Sequence, residues 1–151
     1  MDKLAGLSLI ALVSLVGVAS QPALAQATAG KKASSNTNNR SDSLVERGKY
    51  IVERVAMCER CHTPRDGSGN PERTKWLQGG PVQNQVTYPV ANYAQSEPRI
   101  AGAPPGTDEQ FITLMMTGIS RTGAPPNPPM PPFRMTREDA QAVLAYLKSL
   151  R

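Results

Sequence analysis

Both cysteines of the chain and its single histidine fall in Cys58-Glu59-Arg60-Cys61-His62. Thiols at this spacing stand about one helical turn apart on one face. C-x-x-C-H is the spacing of covalent haem attachment. The two thiols add to the two vinyl groups on one edge of the porphyrin, and the next residue brings an imidazole under the iron as an axial ligand. Three other chemistries compete for these residues. A redox dithiol wants a βαβ context, and no such pattern is present. A bare disulfide suits an oxidising compartment. A structural zinc site takes four ligands of Cys or His type, and the whole chain offers three. Haem attachment is the reading that agrees with an export signal at the N-terminus and a small core.

The iron has a second face. One histidine excludes bis-histidine ligation within one chain. A methionine opposite a histidine is the usual electron-transfer pair and raises the reduction potential. Beyond the initiator the methionines are Met57, Met115, Met116, Met130 and Met135. Met57 abuts the attachment motif and cannot reach the opposite face. Met115 and Met116 fall in a helical stretch, where methionine is commonly core filler. Met130 sits in "PPMPPF", where prolines stiffen the loop and limit the entropy lost on ligation. Met135 just precedes a helix, where an apolar residue commonly packs on the first turn. Met130 is the favoured candidate; Met135 and an open sixth site remain alternatives.

Three segments carry the helical period that would position these groups. In the first, Leu44, Val45, Gly48, Ile51, Val52 and Val55 share a face, and Ser43 with Glu46 forms an N-terminal capping box. In the second, Phe111, Leu114, Met115 and Ile119 align; Thr107 with Gln110 is its capping box and Gly118 its stop. In the third, Ala140, Val143, Leu144, Leu147 and Leu150 align behind Thr136 and Asp139. Between the first two, Pro64 to Gly106 holds scattered Pro and Gly without strand alternation. Gly123 to Pro132, "GAPPNPPMPP", cannot be helix because proline lacks the donor and clashes with the preceding turn; it is expected extended, near polyproline II. The fold class is all-α, with about three main helices and long loops.

Aromatics are 5% of the 151 residues, few for a core built from side chains alone, so an organic cofactor at the centre is attractive. The net charge of +5 favours acidic partners. No long basic run with interleaved aromatics is present, so nucleic acid is not an expected partner. At the N-terminus, Lys3 precedes an apolar run from Leu4 to about Ala19, followed by Pro22 and Ala23-Leu24-Ala25. This is a signal peptide over 1–25, with cleavage expected after Ala25 and a periplasmic destination. Membrane association is expected only if that segment is retained. Residues 26–42 hold almost no large apolar side chain and read as a flexible linker. The folded domain is expected over 43–151.

The stretches "RGKYIVERVAMCERCHTP" and "MPPFRMTREDAQAVLAYLKSL" resemble class I c-type cytochromes, small exported single-haem electron carriers. The chain looks most like the cytochrome domains associated with bacterial periplasmic dehydrogenases. The resemblance covers about 43–151 and implies a cytochrome c-like fold. In it the first and last helices cross beside a haem c largely enclosed by loops. It places the axial-ligand roles on His62 and Met130, and attachment on Cys58 and Cys61. It implies redox partner proteins: a dehydrogenase, an oxidase or another cytochrome. Family members often pair a glycine on the first helix with an aromatic four residues on; here that residue is Val52, and the aromatic is Tyr50. Many relatives orient the ligating histidine through a proline carbonyl, for which Pro71 and Pro81 are candidates. Trp76, Tyr88, Tyr93 and Arg99 are candidates for the haem propionates. The alternative function is a haem enzyme or ligand sensor of peroxidase type with an open sixth site. A distal histidine would often serve there, and none is left over.

Overall fold

The computed structural model describes residues 39–83 and 86–150. The signal segment, its cleavage site and linker residues 26–38 lie outside the described residues. Helix α1 covers residues 39–50 and continues into a π-helical turn, Ile51–Val55. A short α2, Glu59–His62, carries most of the attachment motif. After a 3₁₀ turn at Arg73–Lys75 come two short antiparallel strands, β1 (Gly80–Pro81) and β2 (Ser96–Glu97). Helices α3 (Asp108–Thr117) and α4 (Arg137–Ser149) complete the chain.

The last two helices start where their capping residues dictate, and α3 also stops at one. The Thr107 hydroxyl accepts from the Gln110 N–H, and the Gln110 side chain accepts from the Thr107 N–H, so both orphan donors are satisfied. Gly118 ends α3 in the left-handed region at φ 66°. Thr136 caps α4 by accepting from the Asp139 N–H. The first helix departs from expectation. It is already formed at residue 39, so Ser43 lies inside it and caps nothing; its hydroxyl donates to the Arg40 carbonyl, an intrahelical bond. Linker residues 39–42 are therefore helical. Val55, expected on the buried face, is 57% exposed. The π turn explains this. Its extra residue per turn rotates the end of the helix, Val55 included, off the 3.6-residue face.

Two helix crossings build the core. Gly48 of α1 lies against the Ala142 carbonyl and Tyr146 of α4, close enough that a β-carbon there would overlap the α4 backbone. Val52 follows one turn later, fully buried. The aromatic at this crossing comes from α4: Tyr146 donates to Glu53 Oε1 at 2.6 Å, while Tyr50 is exposed. Helix α3 packs on α4, with Phe111, Ile112 and Met115 meeting Val143, Leu144 and Leu147. Each such side chain, fully buried, contributes on the order of 1.5–3 kcal/mol relative to exposure. Among the described residues no helix is long and apolar enough to cross a membrane.

Candidate functional site

The π turn closes with Ala56 N–H donating to Ile51 O at 2.8 Å and Cys58 N–H donating to Val52 O at 3.0 Å. The chain then turns through Met57 in the left-handed region, φ 48°, uncommon for a residue with a β-carbon. This residue breaks the helical path between the π turn and α2. Cys58, Cys61 and His62 consequently reach the wall of one cavity of about 450 Å³. The volume falls in the roughly 300–1,000 Å³ range of small-molecule and cofactor sites. Phe111, Leu114 and Met115 of α3, Val143 and Leu147 of α4, and Phe133 supply apolar wall. Met130 lies on the same wall.

The histidine is held from behind. His62 Nδ1 lies 2.8 Å from the carbonyl oxygen of Pro98. A carbonyl only accepts, so Nδ1 carries the proton, and in the neutral ring Nε2 keeps its lone pair. Burial pulls the His62 pKa below its ordinary value, against a smaller opposing effect of this bond, and so favours the neutral ring. A ring nitrogen freed in this way is the arrangement of a metal-binding imidazole.

Neither Pro71 nor Pro81 makes this contact; Pro98 does. The Leu77 carbonyl accepts from Ile100 and Ala101 at 3.0 and 3.1 Å, and Gly79 donates to His62 O at 2.8 Å. β1 and β2 pair Gly80 with Glu97. Together these fold the segment around Pro98 under the histidine. Gly79, at φ 73°, is required because a β-carbon there would sit 2.6 Å from the Pro98 carbonyl carbon. The Gly79-Gly80 pair was the sequence signal of this close approach. It does not by itself say which proline lies opposite. On the other side, Thr63 Oγ1 accepts from Leu77 N–H at 3.0 Å, and Arg65 bonds the Gly69 and Arg60 carbonyls.

Methionines surround the cavity. Met57, Met115 and Met135 line it together with Met130. Met115 is thus both core and cavity wall, and Met135 is tied to it by a main-chain bond of 3.0 Å between the Met135 N–H and Met115 O. The proline loop is nonhelical, as its composition requires. It is not extended throughout, for it turns at 127–130, where Met130 N–H donates to Asn127 O at 3.3 Å. Ala94 N–H donates to Pro128 O at 2.7 Å and braces that turn. None of Trp76, Tyr88, Tyr93 and Arg99 lines the cavity. Trp76 stacks under Arg73 at 4.5 Å, Arg99 turns back to the Ala101 carbonyl, and Tyr88 is exposed. Ser96, Ser120, Thr122 and Asn127 are polar groups that do line it.

The cavity fits the chemistry of the motif. Cys58 and Cys61 are not joined in a disulfide. Burial, with Glu59 adding to it, pushes the Cys58 thiol up to about 12, so it stays a neutral thiol near neutral pH. Among the described residues no group of three or more His, Cys, Asp or Glu is arranged to hold a metal ion alone. Two thiols, one lone-pair nitrogen and a mostly apolar wall suit an iron porphyrin rather than zinc.

Comparison with known proteins agrees. The sequence model of the family described as cytochrome c matches residues 45–151. A diheme cytochrome c-type protein of Cereibacter sphaeroides is 53% identical over 36 residues, 24% of this chain and 12% of that protein. The fructose dehydrogenase cytochrome subunit of Gluconobacter japonicus is 25% identical over 109 residues, 69% of this chain and 21% of that protein. The chain thus spans less than a quarter of the length of either relative.

Proposed function

The chain belongs to the cytochrome c family, and from that premise we propose that it is an exported, periplasmic carrier of single electrons with His62 and Met130 as axial ligands. As a member of that family it carries a covalently bound haem c. When bound, that group supplies reversible one-electron chemistry at iron. Cys58 and Cys61 anchor it as thioethers. Pro98 holds the Nδ1 proton and fixes the His62 tautomer. Apolar side chains of α3 and α4 supply much of the cavity wall.

The observation that carries the reading is the convergence of Cys58, Cys61, His62 and Met130 on one apolar cavity from segments far apart in sequence. The absence of a second histidine supports a carrier over a peroxidase, because no histidine is left to serve as a distal base. Redox partner proteins follow from the role. A dehydrogenase is the first candidate, supported by the Gluconobacter relative's name, and the net charge of +5 suits an acidic docking face. Export rests on the N-terminal pattern of residues 1–25.

Intact mass of the exported protein tests export and attachment together. A mass lacking residues 1–25 and carrying one haem supports the reading; a haem-free chain overturns it. Met130→Ala then tests the ligand set. The variant is expected to keep its haem, bind added imidazole or cyanide, and lose potential. An unchanged spectrum and potential would remove Met130 from the iron.

A further inference from the structure

Glu97 lies in β2 on the cavity wall, immediately before the proline that holds His62. Both oxygens of its carboxylate are covered and reach no N–H or O–H donor. The Cys61 thiol, a weak partner, stands within hydrogen-bonding reach. The cation that acts on it is Arg65, from the loop after α2. β1, paired alongside, brings only Gly80 and Pro81. Covering a carboxylate without a donor is costly, and each such group in a fold calls for a reason.

The haem reading supplies one. Once Cys61 becomes a thioether its S–H is gone. A cofactor joined at Cys61 would lie in the cavity that this carboxylate also lines, with Arg65 as the countercharge. Resting on that reading, we infer that Glu97 is a potential-setting residue, whose carboxylate charge beside the Cys61 thioether stabilises the oxidised haem. A carboxylate charge held beside the cofactor favours the more positive, oxidised iron. Burial raises the Glu97 pKa, only partly offset by Arg65 and Cys61. The charge therefore develops at higher pH than for an ordinary glutamate. Reduction removes a positive charge from the iron and makes protonation of Glu97 easier. The electron comes from a reduced one-electron partner and the proton from solvent, and only an O–H bond forms. The midpoint potential accordingly falls as pH rises through the titration of Glu97.

The test is potentiometry against pH on the exported holoprotein, wild type, Glu97→Gln and Glu97→Asp, with covalent haem confirmed by mass in each. Glu97→Gln is expected to raise the midpoint at neutral pH and flatten its pH dependence; Glu97→Asp should retain a sloping profile. Equal midpoints and equal slopes in wild type and Glu97→Gln, with haem attached, overturn the Glu97 assignment and leave the carrier reading standing. A haem-free wild type overturns both. Should Glu97→Gln fail to accumulate, the wild-type profile decides: a midpoint that does not change with pH over the whole range in which the protein stays folded overturns the assignment.

Discussion

Replacing Gly48 by alanine sets a methyl group where the backbone of α4 already stands. The new β-carbon overlaps the Ala142 carbonyl and comes within 2.8 Å of Tyr146 Cβ. Comfortable carbon contacts lie at about 3.5–4.0 Å. The partner at the tightest point is main chain inside a helix, so no rotamer change relieves it. The two helices must separate, and their shared core with them. Overpacking of this kind costs roughly 1–3 kcal/mol, occasionally more. Alanine returns about 1 kcal/mol of helix propensity relative to glycine. Because the clash is with backbone, the upper part of the range applies, and the net loss is about 2 kcal/mol. For a domain of this size that corresponds to roughly 10 °C in Tm. Gly48→Val keeps less of the propensity gain, adds bulk and is expected to cost more. Thermal and urea unfolding of the holoprotein, followed by far-ultraviolet circular dichroism, measure both. A Gly48→Ala protein as stable as wild type, or more so, refutes the closeness of this crossing.

Tyr146→Phe removes the phenol that donates to Glu53 and is expected to cost about 1.5–3 kcal/mol in urea unfolding, as for a bond to a charged acceptor. The Tyr146 pKa is pushed up to about 12, first by burial and then by Glu53. The folded state favours the neutral phenol, so this stabilisation is complete below the ordinary tyrosine pKa near 10 and is lost as pH climbs toward about 12. Tyr146→Phe should flatten that part of the stability–pH curve. Thr136→Ala deletes the α4 cap and is expected to cost about 1 kcal/mol by the same assay. Cys61→Ser should leave haem on one thioether at most. In the Cys58→Ser, Cys61→Ser double variant any bound haem should extract into acid acetone, and haem that resists extraction contradicts thioether attachment.

The attachment motif was legible because rare residue types at a fixed spacing carry their own chemistry. The starts of α3 and α4 were legible because Thr107 with Gln110, and Thr136, satisfy orphan donors locally. The start of α1 was not legible, because Ser43 and Glu46 match a capping box wherever they stand. Only the backbone shows that Ser43 bonds within the helix. The π turn left no mark on the periodic pattern and carried Val55 out of the core. Pro98 was not legible because its role depends on a carbonyl, which every residue has, and on a pairing of two-residue strands too short to alternate. Trp76, Tyr88, Tyr93 and Arg99 have side chains of the right chemistry for propionates, but tertiary packing gives Trp76 and Arg99 other partners. Nothing in sequence separates a covered carboxylate such as Glu97 from a solvated one.

The most direct test of the account is the near-infrared sulfur-to-iron charge-transfer band of the ferric protein. The band is expected in wild type and in Met135→Leu, and absent from Met130→Leu. Its absence from wild type, or its survival in Met130→Leu, contradicts ligation of the iron by His62 and Met130.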